Sequence, residues 1–234
     1  MRQLLLSFFL PMAAALAHPG WGLIVTAEGD YWISDAVANQ ILRVDRAQKI
    51  HVVRTGVHSH WLWQAPDGAI HGEHLWYDQA RNTFPSYPWR ITPAGRFEQL
   101  AQTPDRAPRD AAGRRYVAKA DRIERQEPSG AVQPWGGLPF AGVPRGHLER
   151  IMGMTLDGAG QLYVADIEHG VVRRVDTAGR VMEYAKSGFN WTPWGLFWKS
   201  GELYVLEHSR YVGRGTRIVR IRAGGRSDVV FRQP

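Results

Sequence analysis

Five arginines recur at one place in a repeating pattern, Arg43, Arg90, Arg125, Arg174 and Arg220. No other feature of the chain restricts its fold so strongly. In the last four units the arginine stands five residues before a glycine, namely Gly95, Gly130, Gly179 and Gly225, and in the first unit Gln48 holds that place. A second register agrees with the first. It aligns Tyr31-Trp32-Ile33, Ile70-His71-Gly72, Arg115-Tyr116-Val117, Leu162-Tyr163-Val164 and Leu203-Tyr204-Val205. The mean spacing is about 44 residues, the length of a propeller blade.

The fourth unit shows what repeats. Gly153 to Leu156 reads as a strand, Asp157-Gly158-Ala159-Gly160 as a turn, and Gln161 to Asp166 as a second strand. Glu168-His169-Gly170 leads into Val171 to Asp176, and Thr177-Ala178-Gly179 turns into Arg180 to Tyr184. Short alternating runs cut by Gly- and Asp-rich turns make an antiparallel meander. The other units run over residues 22–56, 58–104, 106–137 and from Trp191 onward, and the third is the most degenerate. A four-stranded sheet cannot bury both faces alone, but sheets stacked around an axis bury each other. The expected fold is therefore an all-β propeller of five four-stranded antiparallel blades. A six-bladed ring, the alternative, needs roughly 40 more residues. The Pro- and Gly-rich segment 138–146 reads as a connecting loop.

The repeated arginines suggest a cationic ring, but third strands lie away from the axis. There an arginine covers apolar surface with its stem and keeps its head wet.

The start of the chain is different in kind. Arg2 precedes apolar runs at 4–10 and 12–16, and Ala15-Leu16-Ala17 offers a small-x-small cleavage site. This reads as a signal peptide over residues 1–17, leaving a single domain over 18–234 in a secreted or periplasmic location. The chain has no cysteine. Disulfides, thiolate zinc sites and a cysteine nucleophile are thereby excluded, and core burial must hold the fold together. The net charge of +7 is spread along the chain. With export it points away from nucleic acid and toward a solvated basic surface, or more weakly an acidic ligand. No later run is long enough to span a membrane, and a monomer is expected.

The stretch GMTLDGAGQLYVADIEHGVVRRVDTAGRV (153–181) resembles an NHL repeat. More distantly it is similar to the blades of the senescence-marker-protein/gluconolactonase superfamily. The NHL resemblance implies a propeller that binds; the lactonase one implies a divalent metal in the axial channel. Both families commonly have six blades, so five is a departure. The lactonase pattern also wants an acid opening the first blade and an asparagine before a glycine in later first strands. Here Gly22-Leu23-Ile24 opens without an acid, and Met152 and Trp194 precede Gly153 and Gly195. No residue inherits a ligand role.

In a blade the first strand starts where the second ends, so both contribute to one rim, and loops on such a rim carry function. First-strand starts supply His58, His60, Arg150, Met152, Thr192 and Trp194; second-strand ends supply Asp35, His74, Lys119, Asp166 and Glu207. His60, His74, Asp166 and Glu207 are candidate ligands for a divalent metal, since imidazole and carboxylate suit zinc, manganese or iron. The plain alternative is that strand-ending Asp35, Asp166 and Glu207 hydrogen-bond nearby backbone. Ten tryptophans offer flat faces for sugars or other partly apolar ligands. Trp61 and Trp194, at equivalent first-strand starts, are the expected exposed pair. The expected function is a scaffold binding a small molecule, glycan or protein through His60, Trp61, His74, Asp166, Trp194 and Glu207, rimmed by loops 78–87 and 207–216. A metal-dependent hydrolase or lactonase-like enzyme in the same channel is the alternative.

Overall fold

The computed structural model describes residues 19–119, 122–135, 151–210 and 215–233. The expected signal segment 1–17 and loop 138–146 lie outside them. The described residues contain strands and turns and no helix.

Five sheets follow in chain order, and within each the strand order is the sequence order. Blade 1 is β1 (Leu23–Val25), β2 (Tyr31–Asp35), β3 (Gln40–Val44) and β4 (Ile50–Thr55). Blade 2 is β5 (Leu62–Gln64), β6 (Ile70–Leu75), β7 (Ser86–Ile91) and β8 (Phe97–Gln99). Blade 3 has β9 (Arg115–Ala118), β10 (Ile123–Gln126) and β11 (Val132–Trp135). Blade 4 is β12 (Ile151–Leu156), β13 (Leu162–Asp166), β14 (Val171–Val175) and β15 (Val181–Lys186). Blade 5 is β16 (Trp191–Lys199), β17 (Glu202–Ser209), β18 (Thr216–Ile221) and β19 (Ser227–Arg232).

The five-bladed propeller is as expected, with one correction. The innermost strand of blade 3 is reduced to an isolated bridge between Arg109 and Arg115. Pro104 and Pro108 sit where that strand would run, and proline has no N–H to give a ladder. Tyr116 N–H still donates to the Pro108 carbonyl at 3.0 Å.

Strand pairing explains the repeat. Each recurring arginine sits directly opposite a ring on the second strand: Trp32 with Arg43, His71 with Arg90, Tyr116 with Arg125, Tyr163 with Arg174, and Tyr204 with Arg220. Opposed residues share a sheet face, so the arginine stem covers the ring. Most heads then meet an acid: Arg90 reaches Glu98 at 2.6 Å, Arg125 reaches Glu127 at 2.8 Å, and Arg220 reaches Asp228 at 2.9 Å. The arginine row is structural. The turn after it needs a left-handed residue, and Gln48 adopts φ 64° where Gly95, Gly130, Gly179 and Gly225 stand in the other blades.

Apolar clusters join neighbouring blades. Ile24, Ile41, Ile70 and Trp89 join blades 1 and 2; Leu23, Val44, Leu206 and Ile218 join 1 and 5. Ala165, Val172, Leu196 and Val205 join 4 and 5; Tyr116, Ile123, Ile151 and Leu162 join 3 and 4. Each such fully buried side chain contributes roughly 1.5–3 kcal/mol. Tight approach at two places needs glycine. The Trp89 indole fills the position where a Cβ on Gly72 would lie, which is why glycine replaces the Ile or Val of other blades there. A Cβ on Gly195 would collide with the Trp21 carbonyl, across the junction of blades 5 and 1.

Between blades 2 and 3 the described residues form no such cluster. The segment 100–114 crosses that seam, with the Arg106 guanidinium 4.3 Å above the Trp61 ring.

Candidate functional site

The reduced inner segment of blade 3 forms part of a cavity wall. A cavity of about 1160 Å³ runs along the axis and touches all five blades. Its walls carry Trp21, Trp61 and Trp63 from blades 1 and 2, Met152 and Met154 from blade 4, and Phe197 from blade 5. The blade 3 side is different, lined by Asp105, Arg106, Arg109 and Arg115.

Through Trp21, which lines the cavity and touches His60, the wall joins a rim rich in histidine. First-strand starts and second-strand ends do converge there: Leu75 N–H donates to the His58 carbonyl at 3.0 Å, and Thr192 pairs with His208. His58 Nδ1 lies 3.0 Å from the Ala36 carbonyl and 2.9 Å from Asn39 Oδ1. Facing two acceptors, this nitrogen carries the proton of the neutral ring. His58 Nε2 is then the acceptor for His60 Nε2–H at 2.9 Å. His74 Nδ1 accepts the His58 backbone N–H at 3.0 Å. Burial first, then repulsion from His58 whenever that ring is protonated, pushes the His74 pKa down.

Trp21 lies against His60, ring centres 4.6 Å apart. On its other side His208 Nε2–H donates to the Gly20 carbonyl at 2.9 Å, and Thr216 Oγ1–H donates to His208 Nδ1 at 2.9 Å. Burial of this fully paired ring depresses its pKa to about 4. Trp194 meets His208 edge-on at 5.9 Å. The rim thus forms an arc from Trp194 through His208, Trp21, His60 and His58 to His74.

The expected site residues divide accordingly. His60, His74 and Trp194 lie on the arc. Trp61 lines the cavity but is only 7% exposed, with Arg106 stacked on its face, so the expectation of an exposed Trp61 is corrected. Trp194 is half-buried. Asp166 and Glu207 are buried in ion pairs. Asp166 takes Arg173 Nε–H at 2.7 Å and the His169 backbone N–H at 3.2 Å. Glu207 takes Arg217 Nε–H at 2.6 Å, and that guanidinium packs 4.2 Å over Trp191. Asp35 accepts the Ala38 N–H at 3.0 Å, the backbone role expected of a strand-ending acid.

Among the described residues no three His, Asp or Glu side chains come together as metal ligands. His60, His74, Asp166 and Glu207 are not gathered into one group, and both carboxylates already neutralise arginines. The donor set does not fit the divalent metal of the lactonase-like alternative. Sequence reasoning missed Asp105, Arg106, Arg109 and Arg115. Their signal was there: four arginines fall within residues 106–115, in the repeat set aside as degenerate.

No family model and no curated protein matches the chain. Solved structures are similar in fold. Virginiamycin B lyase from Staphylococcus aureus matches with a TM-score of 0.53 at 15% identity, over 92% of this chain and 85% of that one. Regucalcin from Agrobacterium tumefaciens, a calcium-binding protein, matches at 0.54 and 15% identity, over 80% and 81%. A Bacteroides thetaiotaomicron protein of unknown function matches at 0.56 and 12% identity, over 82% and 68%. The chain is a β-propeller. At these identities the likeness is one of fold.

Proposed function

We propose that the protein is an exported propeller that binds a small molecule in its axial cavity. The observation that carries this reading is the cavity itself, about 1160 Å³ and walled by Trp21, Trp61, Trp63 and Phe197. Binding sites are concave, mostly apolar spaces with a few placed polar groups, and this one has both. Large rings supply contact area at little conformational cost. Arg106 lies over the face of Trp61 and brings a guanidinium to the cavity wall. Trp21, on the cavity wall, touches His60 of the rim.

A titration of intrinsic tryptophan fluorescence with ring-bodied small molecules tests the reading. At least one should change the emission saturably in the wild type and leave Ala107→Phe, which puts a ring into the cavity, unchanged. Equal responses in the two proteins would overturn it. Export rests on residues 1–17 and has its own check. Cell fractionation with N-terminal sequencing should find a chain beginning at His18 outside the cytoplasm; a cytoplasmic chain beginning at Met1 would refute it. In solution the propeller should sediment as a monomer.

A further inference from the structure

The cavity has two unlike walls. Trp63, Met152, Met154, Leu196 and Phe197 make one side apolar. Among the described lining residues the charges are three arginines and one aspartate, all on the side left open by blade 3. Asp105 is shared: Oδ1 accepts Arg115 Nη2–H at 2.7 Å and Oδ2 accepts Arg109. One carboxylate therefore serves two guanidiniums, and Arg106 stands beside them over Trp61.

Resting on the cavity reading above, we infer that its ligand is a ring-bodied organic anion, with its carboxylate, sulfonate or phosphate on the Arg109–Arg115 pair that shares Asp105, and its ring against the tryptophan side. A cleft of one charge sign with low-dielectric walls focuses its field and raises the local concentration of counter-ions. Guanidinium also matches planar oxyanions with paired N–H donors. A neutral sugar uses none of this excess charge, and a cation is repelled by it.

Two fluorescent probes separate the outcomes: 8-anilinonaphthalene-1-sulfonate and the neutral N-phenyl-1-naphthylamine, which share a ring body. The wild type should bind the sulfonate about tenfold more tightly or better, with affinity falling as salt rises. Arg109→Gln with Arg115→Gln should weaken only the sulfonate and bring the two probes within about twofold of each other. Asp105→Asn removes the acid that Arg109 and Arg115 share and should tighten sulfonate binding several-fold while leaving the neutral probe unchanged, whereas misfolding exposes apolar surface to both probes. Ala107→Phe should abolish binding of both. Equal affinities in the wild type, or an Asp105→Asn variant with no gain, would overturn the anion inference and leave the cavity reading in place. If neither probe binds, the cavity reading falls and the inference with it.

Discussion

Blade 5 pairs its two innermost strands along their whole length, from Trp191 with Ser209 to Lys199 with Glu202, whereas blade 3 keeps only the Arg109–Arg115 bridge in that place. Both come from the same repeat with the same ring-and-arginine pair. Blade 5 packs against neighbours on both sides, through Leu206 and Ile218 toward blade 1 and Leu203 and Val205 toward blade 4. Among the described residues, blade 3 packs its buried apolar cluster on blade 4 alone. One repeat can therefore serve as a keystone or as the wall of a cavity. What differs is the proline content and polarity of the innermost segment.

The sharpest way to break this comparison is at the junction of blades 5 and 1. Gly195→Ala drives a methyl group into the Trp21 carbonyl, a backbone atom that cannot swing aside. It should cost about 3 kcal/mol or more, read as a fall in Tm of about 10 °C. Acid should produce a comparable effect at the same junction. His208 is buried neutral with its pKa held near 4, below its unfolded value of about 6.5. The unfolded chain binds the extra proton first, so this stability is complete above about pH 6.5 and is lost as pH falls toward 4. The loss is on the order of 3 kcal/mol, and denaturant midpoints across that range measure it. His208→Gln should flatten the curve.

Blade 3 should respond more weakly. Arg106→Ala removes a cation–π contact at an exposed seam and should cost under about 1 kcal/mol. Val132→Thr, on an exposed outer strand position, should change stability by less than about 0.5 kcal/mol. If Arg106→Ala proved as damaging as Gly195→Ala, the seam between blades 2 and 3 would be as tight as the other four, and the contrast would be lost.

Much of the fold could be read from the chain because the ring–arginine pairing is a one-dimensional signature of strand register. Tyr163 and Arg174 must face each other once the hairpin between them closes. The reduced strand of blade 3 was partly legible, in Pro104, Pro108 and the poor repeat around them. The site was harder to see. Trp61 is covered by Arg106, 45 residues further along, and only the docking of segment 100–114 across the seam of blades 2 and 3 brings the two together. The ion pair of Glu207 with Arg217, by contrast, follows from direct opposition across one hairpin and could have been taken from the register alone. Local pairings are written in the spacing; contacts around the axis are not.

Every blade is one uninterrupted stretch of chain, and the contact of Gly20 with His208 spans 188 residues. As the polypeptide emerges, four of its sheets can form beside a preceding neighbour. The oily flank of the first, with Leu23, Val25 and Val44, has no mate until the last has been made. Assembly is thus sequential with a late locking step. A chain stopped short of Trp191 would carry a permanently uncovered apolar surface of the kind that chaperones and proteases recognise.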